Sequence, residues 1–116
     1  MKDNLAYNKA FEFSIKIINL YKFLCQKGEY IISKQLLRSG TSIGANIQEG
    51  IYAQSKRDFL SKMNIALKEA SESEYWIKLL LATDYLDDRE ILNECIGIKK
   101  ILHSIVKTTR ESLKDS

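Results

Sequence analysis

The chain has no proline, so no fixed ring breaks or kinks a helix anywhere along it. Cysteine is scarce. Cys25 and Cys95 lie far apart and form no CxxC pair, which leaves zinc ribbons and thioredoxin-like redox chemistry without support and points to two reduced thiols in a cytosolic core. The one histidine, His103, follows Lys99 and Lys100 and has no glutamate three residues before it. Glu49, Glu69, Glu72 and Glu74 therefore lack the Glu-x-x-His partners of a carboxylate-bridged di-metal bundle. A lone histidine also defines neither a Ser/His/Asp nor a Cys/His arrangement. No metal, no cofactor and no enzymatic activity are expected. Apolar runs are short: the longest, Leu79 to Ala82, falls far below the roughly 20 residues that cross a bilayer. Nor is Met1-Lys2-Asp3-Asn4-Leu5 followed by the apolar stretch of a secretory signal. A soluble cytoplasmic protein without membrane contact is expected.

What is present suits a helical fold. The 116 residues, 45% apolar and 28% charged, are enough for one core and too few for two, so a single domain over residues 1–116 is expected. Apolar spacing and end signals divide it into four helices, at about 4–26, 30–52, 56–83 and 88–112. The first carries Leu5, Phe11, Ile15, Ile18, Tyr21, Leu24 and Cys25 near helical spacing and stops at Gly28. The second carries Ile32, Leu36, Ile43, Ile47 and Ile51. Ser55 with Asp58 three residues later forms a capping-box-like start for the third, whose stripe runs Phe59, Met63, Ala66, Ala70, Ser73, Ile77 and Leu80, bulky at its ends and narrow between. Asp87 or Asp88 is placed to cap the fourth, with Glu90 following. Its stripe is Ile91, Cys95, Ile98, Leu102, Ile105, Thr109 and Leu113. Short links force antiparallel neighbours, so the predicted fold is all-α, an up-down-up-down four-helix bundle.

The most unusual segment is Arg38 to Tyr52. Ile43, Ile47 and Ile51 recur every four residues, and Ser42, Asn46 and Glu49 run beside them as a polar stripe. Gly40, Gly44 and Gly50 each cost about 1 kcal/mol relative to alanine inside a helix. Close approach of a neighbouring helix or chain offsets that cost. The narrow middle of the third helix is the expected receiver, with Ser42, Asn46 and Glu49 exchanging hydrogen bonds across the contact. Gly40 to Gly44 matches neither GxGxxG nor GxxxxGK[ST], so a nucleotide site is not indicated.

Net charge is +3, an excess that permits contact with nucleic acid without establishing it. Antiparallel threading gathers Lys2, Lys9, Lys56, Arg57, Lys107, Arg110 and Lys114 at one end, partly offset by Asp3, Glu49, Asp58, Glu111 and Asp115. Asp84, Asp87, Asp88, Glu90 and Glu94 make the other end acidic. Helix-dipole preference accounts for the cations closing the fourth helix but not for Lys2, Lys9, Lys56 and Arg57, which sit at helix starts. These seven cations are the candidate contacts for RNA or DNA. The alternative is a structural or protein-binding adaptor.

The run Ser42-Ile43-Gly44-Ala45-Asn46-Ile47-Gln48-Glu49-Gly50, with Ser55, Asp58-Phe59, Ile65-Ala66 and Glu72-Ser73-Glu74, resembles the four-helix bundle proteins encoded in intervening sequences of 23S ribosomal RNA genes. The resemblance extends from about Leu5 to Leu113. It implies a small bacterial cytoplasmic protein that forms a ring, a homopentamer, with no established enzymatic activity and a suspected nucleic-acid role. It also implies that Ser42, Asn46, Glu49 and Gly50 form the recurring polar core motif, with Phe59 and Ala66 as packing positions. A related group, the accessory variability proteins of diversity-generating retroelements, are similar but more basic bundles that associate with a reverse transcriptase and RNA.

Overall fold

A computed structural model describes residues 4–115 as four helices: α1 (Leu5–Gln26), α2 (Ile32–Ile51), α3 (Lys56–Ala82) and α4 (Glu90–Lys114). Each boundary has a local cause. Asn4 opens α1 by accepting the amide of Tyr7 through Oδ1 at 2.9 Å, and Ser55 opens α3 by accepting that of Asp58 at 3.0 Å, as its spacing predicts. Gly28, at φ +84°, closes α1 with the amide of Glu29 reaching back to the Leu24 carbonyl at 2.9 Å, a left-handed stop that needs no Cβ. Asp84 does the same for α3 at φ 65°, with the Tyr85 amide on the Leu80 carbonyl. At α4 the helix begins at Glu90, whose amide donates to Asp88 Oδ1 at 2.9 Å. Neither Asp87 nor Asp88 holds the cap position, which is Arg89, but of the expected pair Asp88 satisfies one opening amide from a residue further out, and Glu90 is the first helical residue.

The start of α2 differs from the sequence expectation. No residue of the usual capping set precedes it, and the four amides that open a helix still need acceptors. Glu29, just beyond the α1 stop, supplies one carboxylate for three of them. Its oxygens accept from Ile31 at 3.1 Å, Ile32 at 2.9 Å and Ser33 at 2.6 Å. The Ser33 hydroxyl donates back to the Glu29 carbonyl at 2.8 Å. Glu29 and Ser33 are both buried by this exchange.

Cross-helix pairs run in opposite directions at each contact. Ala10 meets Gly44 and Ile17 meets Gly40 between α1 and α2. Ser39 meets Ser73 and Gly50 meets Met63 between α2 and α3. Cys95 meets Ala70, and Lys56 meets Ser112, between α3 and α4. Sequential helices are thus antiparallel, and α1 closes the ring against α4 through the thinnest contact of the four. Lys16 of α1 pairs with Glu94 and Glu90 in the first turns of α4, so each of these helices ends beyond the other's start. The stagger explains a long axis of 52 Å, greater than the roughly 40 Å of the longest helix at 1.5 Å per residue.

The buried stripes of α2 and α3 follow the sequence reading, with Leu36, Ile43 and Ile47 on α2 and Met63, Ala66, Ala70, Ser73, Ile77 and Leu80 on α3, while on α4 Cys95, Ile98 and Leu102 are buried as expected but Leu92 and Val106 take the place of the half-buried Ile91 and Ile105. On α1 the sequence reading selects the wrong side. The core face is Ala6, Ala10, Phe13, Ile17 and Leu24, while Phe11, Ile15 and Ile18 are 54%, 45% and 40% exposed. Helix α1 is apolar on two faces, and only one is covered in this chain.

Candidate nucleic-acid interface

The small-residue segment of α2 is a packing device shared between two neighbours. A methyl group added at Gly40 would lie 2.9 Å from Ile17 Cγ1, and one at Gly44 would lie 3.6 Å from Ala10 Cβ, so both glycines face α1. Gly50 turns to α3, where an added methyl would overlap Met63 Cε and lie 3.3 Å from Lys62 Cβ. The narrow middle of α3 receives Ser39 instead, whose hydroxyl lies 2.8 Å from that of Ser73 with both residues fully buried.

The polar stripe does not cross that contact. Ser42 Oγ donates to the Arg38 carbonyl at 2.6 Å and Asn46 Nδ2 to the Ser42 carbonyl at 2.9 Å, both inside α2. Glu49 has a 59% exposed side chain and pairs with Lys62 at 2.9 Å. Of the expected polar core motif, Gly50 alone is buried. The reason is angular: Ser39 and Gly50 point at α3, whereas Ser42, Asn46 and Glu49 fall toward its rim, where a helix satisfies its own polar side chains. Replacing Asn46 or Glu49 by alanine therefore leaves no buried group unpaired.

The carboxylates of α3 are engaged by cations. Arg38 bridges Glu69 at 3.3 Å and Glu72, and the Trp76 indole donates to Glu72 Oε2 at 2.9 Å. Arg38 and then Trp76 hold the Glu72 carboxyl below the usual range, against the opposing effect of burial. Glu74 sits between Lys78 at 2.8 Å and Lys99 at 2.9 Å, and these two ammonium groups lower it likewise. Among the described residues no group of three His, Cys, Asp or Glu side chains is placed to hold a metal. Burial, followed by the charge of Glu74, pushes the Cys95 thiol up to about 12, and its Sγ donates to the Ala70 carbonyl at 3.3 Å. Only the thiolate is nucleophilic, so iodoacetamide at pH 8 is expected to modify the half-buried Cys25 alone in the native protein and both thiols after denaturation. Intact-mass measurement checks this, and rapid double labelling of the native chain would contradict it.

The cations assigned to one end divide into groups. Lys2 lies outside the described residues. Lys9 does not join the others; it lines a groove of about 570 Å³ between α1 and α4 with Glu12, Lys16, Glu90 and Glu94. Lys56, Arg57, Lys107, Arg110 and Lys114 are all exposed, and Lys56 Nζ reaches Ser112 Oγ at 2.7 Å, which brings the start of α3 to the last turns of α4. The ion pairs among the described residues use Lys16, Arg38, Lys62, Lys78 and Lys99. None uses a cation of this cluster. Sequence reasoning also missed Lys100 and His103, exposed on the same α4 face; the signal was the steps of three and four residues that lead from Lys100 through His103 to Lys107.

A staggered all-α bundle with a glycine-notched second helix and an exposed cationic terminus is the class these features define. The chain belongs to the 23S rRNA-intervening sequence protein family, whose sequence model matches residues 2–104. It is similar to a protein of unknown function from the S23 ribosomal protein family of Bacteroides thetaiotaomicron VPI-5482, known from its crystal structure. The two are 53% identical with a TM-score of 0.85, over 89% of this chain and 99% of that one. No curated protein matches the chain.

Proposed function

We propose that this chain is a non-catalytic, self-associating bundle that contacts RNA or DNA through the end formed by Lys56, Arg57, Lys107, Arg110 and Lys114. The observation that carries the reading is the contrast in pairing. Of the lateral cations named above, Lys16, Arg38, Lys62 and Lys99 pair with carboxylates of neighbouring helices and Lys78 with one of its own, whereas those of this end are exposed and take part in no ion pair among the described residues. Unpaired ammonium and guanidinium groups hold the counterion-exchanging charge that phosphate contact needs. Membership of a family named for an intervening sequence in 23S ribosomal RNA favours an RNA setting, and the neighbour of unknown function supplies no competing activity. No helix among the described residues is long and apolar enough to cross a membrane, which suits a cytoplasmic role.

Self-association rests on α1. Tyr7 stacks on Phe11 with ring centroids 6.1 Å apart, and Phe11, Ile15 and Ile18 continue as an exposed apolar ridge, a surface that solvent leaves unsatisfied and another protein surface covers. A ring of copies, five by the family resemblance, would set several cationic ends side by side. Replacing Phe11 and Ile15 together by glutamate is expected to reduce the assembly to single chains in light scattering while preserving helical circular dichroism. A mass equal to the parent's would place the self-contact elsewhere.

Fluorescence anisotropy with labelled RNA and DNA at about 50 and 200 mM salt tests the nucleic-acid reading. Binding at low salt that weakens steeply at high salt is expected, because each phosphate contact releases counterions. Absence of binding at low salt removes the reading and leaves the adaptor, which the apolar α1 ridge independently favours.

A further inference from the structure

The cations closing α4 belong to a longer array. Lys100, His103, Lys107, Arg110 and Lys114 step along the helix by three, four, three and four residues, so they share one face. All five are exposed. They cover about 21 Å at 1.5 Å per residue, with Glu111 as the one carboxylate within the run. At its upper edge, Lys99 and Lys78 share the single carboxylate of Glu74, adding one net positive charge where the array begins. This is a side of the bundle, not only its tip.

The chemistry of the array selects its occupant. Base stacking on aromatic rings is the main sequence-tolerant way to hold single-stranded nucleic acid, and α4 contains no Phe, Tyr or Trp. The exposed aromatic side chains Phe11, Phe23, Tyr30, Tyr52, Tyr75 and Tyr85 lie on other segments, with Tyr52 alone next to the cationic end, at the close of α2. A row of three lysines and an arginine, with a histidine among them, spread over about 21 Å of one helix face, instead suits the dense, regular phosphates of a duplex, which carries one charge per about 1.7 Å of axis. The row also offers few side chains that discriminate between base edges.

We propose that the α4 face bearing Lys100, His103, Lys107, Arg110 and Lys114 is a track for the phosphate backbone of duplex nucleic acid, bound without regard to base sequence. This rests on the nucleic-acid reading above and extends it from the bundle end to a lateral surface and from nucleic acid in general to duplex.

The test measures binding of the full chain to 20-base-pair duplexes of two unrelated sequences and to one matching single strand, between about 50 and 200 mM salt. Parent protein is compared with the Lys100→Ala, Lys107→Ala, Arg110→Ala and Lys114→Ala combination and with a Lys22→Ala, Lys34→Ala control, two exposed cations outside the proposed surface. The expected result is equal affinity for both duplexes, with log affinity falling against log salt at a slope of about −3 to −4 for some four phosphate contacts. The α4 variant should lose at least tenfold at low salt and most of the slope, while the Lys22→Ala, Lys34→Ala control changes affinity by less than threefold. Thermal melts of both variants should match the parent, since every substituted side chain is exposed. An α4 variant that binds as the parent does overturns the track and moves the contact away from Lys107, Arg110 and Lys114, leaving only that the protein binds nucleic acid. Tighter binding to the single strand overturns the choice of duplex. A parent that binds nothing at low salt overturns both the track and the reading beneath it.

Discussion

Glu29→Ala is expected to lower the stability of the fold by about 2 to 3 kcal/mol, the range for removing a charged acceptor from several buried or half-buried donors. For a chain of this size that corresponds to a fall of roughly 8 to 15 °C in Tm. One carboxylate satisfies the amides of Ile31, Ile32 and Ser33, and Ser33 is only 1% exposed, so water cannot replace all three bonds. Burial by itself would raise the Glu29 carboxyl. The backbone amides of Ile32, Ser33 and Ile31, together with the Ser33 hydroxyl, outweigh it and hold the group below its ordinary value. A folded-state value below the unfolded one means that the contribution is complete above the unfolded carboxyl value, about 4.3. It fades as pH falls through the folded value. The Tm gap between parent and variant should therefore be full at pH 7 and shrink on acidification below about pH 4. A gap that stays constant to pH 3 would assign the loss to packing rather than to the carboxylate, and a gap near zero at pH 7 would show the amides to be solvated.

That cap also marks where sequence reading stops. Ser55 and Gly28 were legible because their residue types are strongly biased toward the roles they play. Glutamate is not, and its action over two to four residues depends on the chain reversing at Gly28 so that the carboxylate lies over the α2 amides. The core stripes of α2 and α3, and the middle of that of α4, were legible for a similar reason: each of those helices has one dominant apolar side. In α1 the bulky residues Phe11, Ile15 and Ile18 outweigh the alanines of the opposite face when hydrophobicity is counted. Packing reverses the choice. Backbones brought close by Gly40 and Gly44 leave space on α1 only for Ala10 and the branched end of Ile17, so the smaller face goes inward and the larger is left for another surface. The cationic surface was half legible because charges were grouped by bundle end. That grouping collected Lys107, Arg110 and Lys114, included Lys9, which the α1–α4 stagger places in a separate groove, and passed over Lys100 and His103 higher on the same face.

Three glycines inside the helices, Gly40, Gly44 and Gly97, should respond to substitution with opposite signs, and of these Gly40 should respond most. Alanine gains about 1 kcal/mol over glycine inside a helix, so the sign at each site depends on what the new methyl meets. At Gly97 it meets nothing within 4 Å, and Gly97→Ala is expected to stabilise by up to about 1 kcal/mol. At Gly44 the nearest atom is Ala10 Cβ at 3.6 Å, an ordinary contact, so Gly44→Ala should be neutral or mildly stabilising. At Gly40 three carbons of Ile17 lie at 2.9, 3.0 and 3.3 Å. Ile17 is itself fully buried and stiff at its branched Cβ, so it has no free rotamer into which to withdraw. Overpacking of this kind costs about 1 to 3 kcal/mol for a small insertion, which makes Gly40→Ala destabilising by up to about 2 kcal/mol after the helix gain is subtracted. Gly40→Val, with two further methyls against the same side chain, should lose about 3 kcal/mol. Urea titrations of the series measure the order directly. Gly40→Ala as stable as Gly97→Ala would mean that α1 and α2 are farther apart than the Ile17 contact requires. A double variant, Gly40→Ala with Ile17→Val, separates the two explanations of a loss. Recovery relative to the sum of the single changes shows that the Ile17 branch is what the methyl strikes, because residues in direct contact couple where distant ones add.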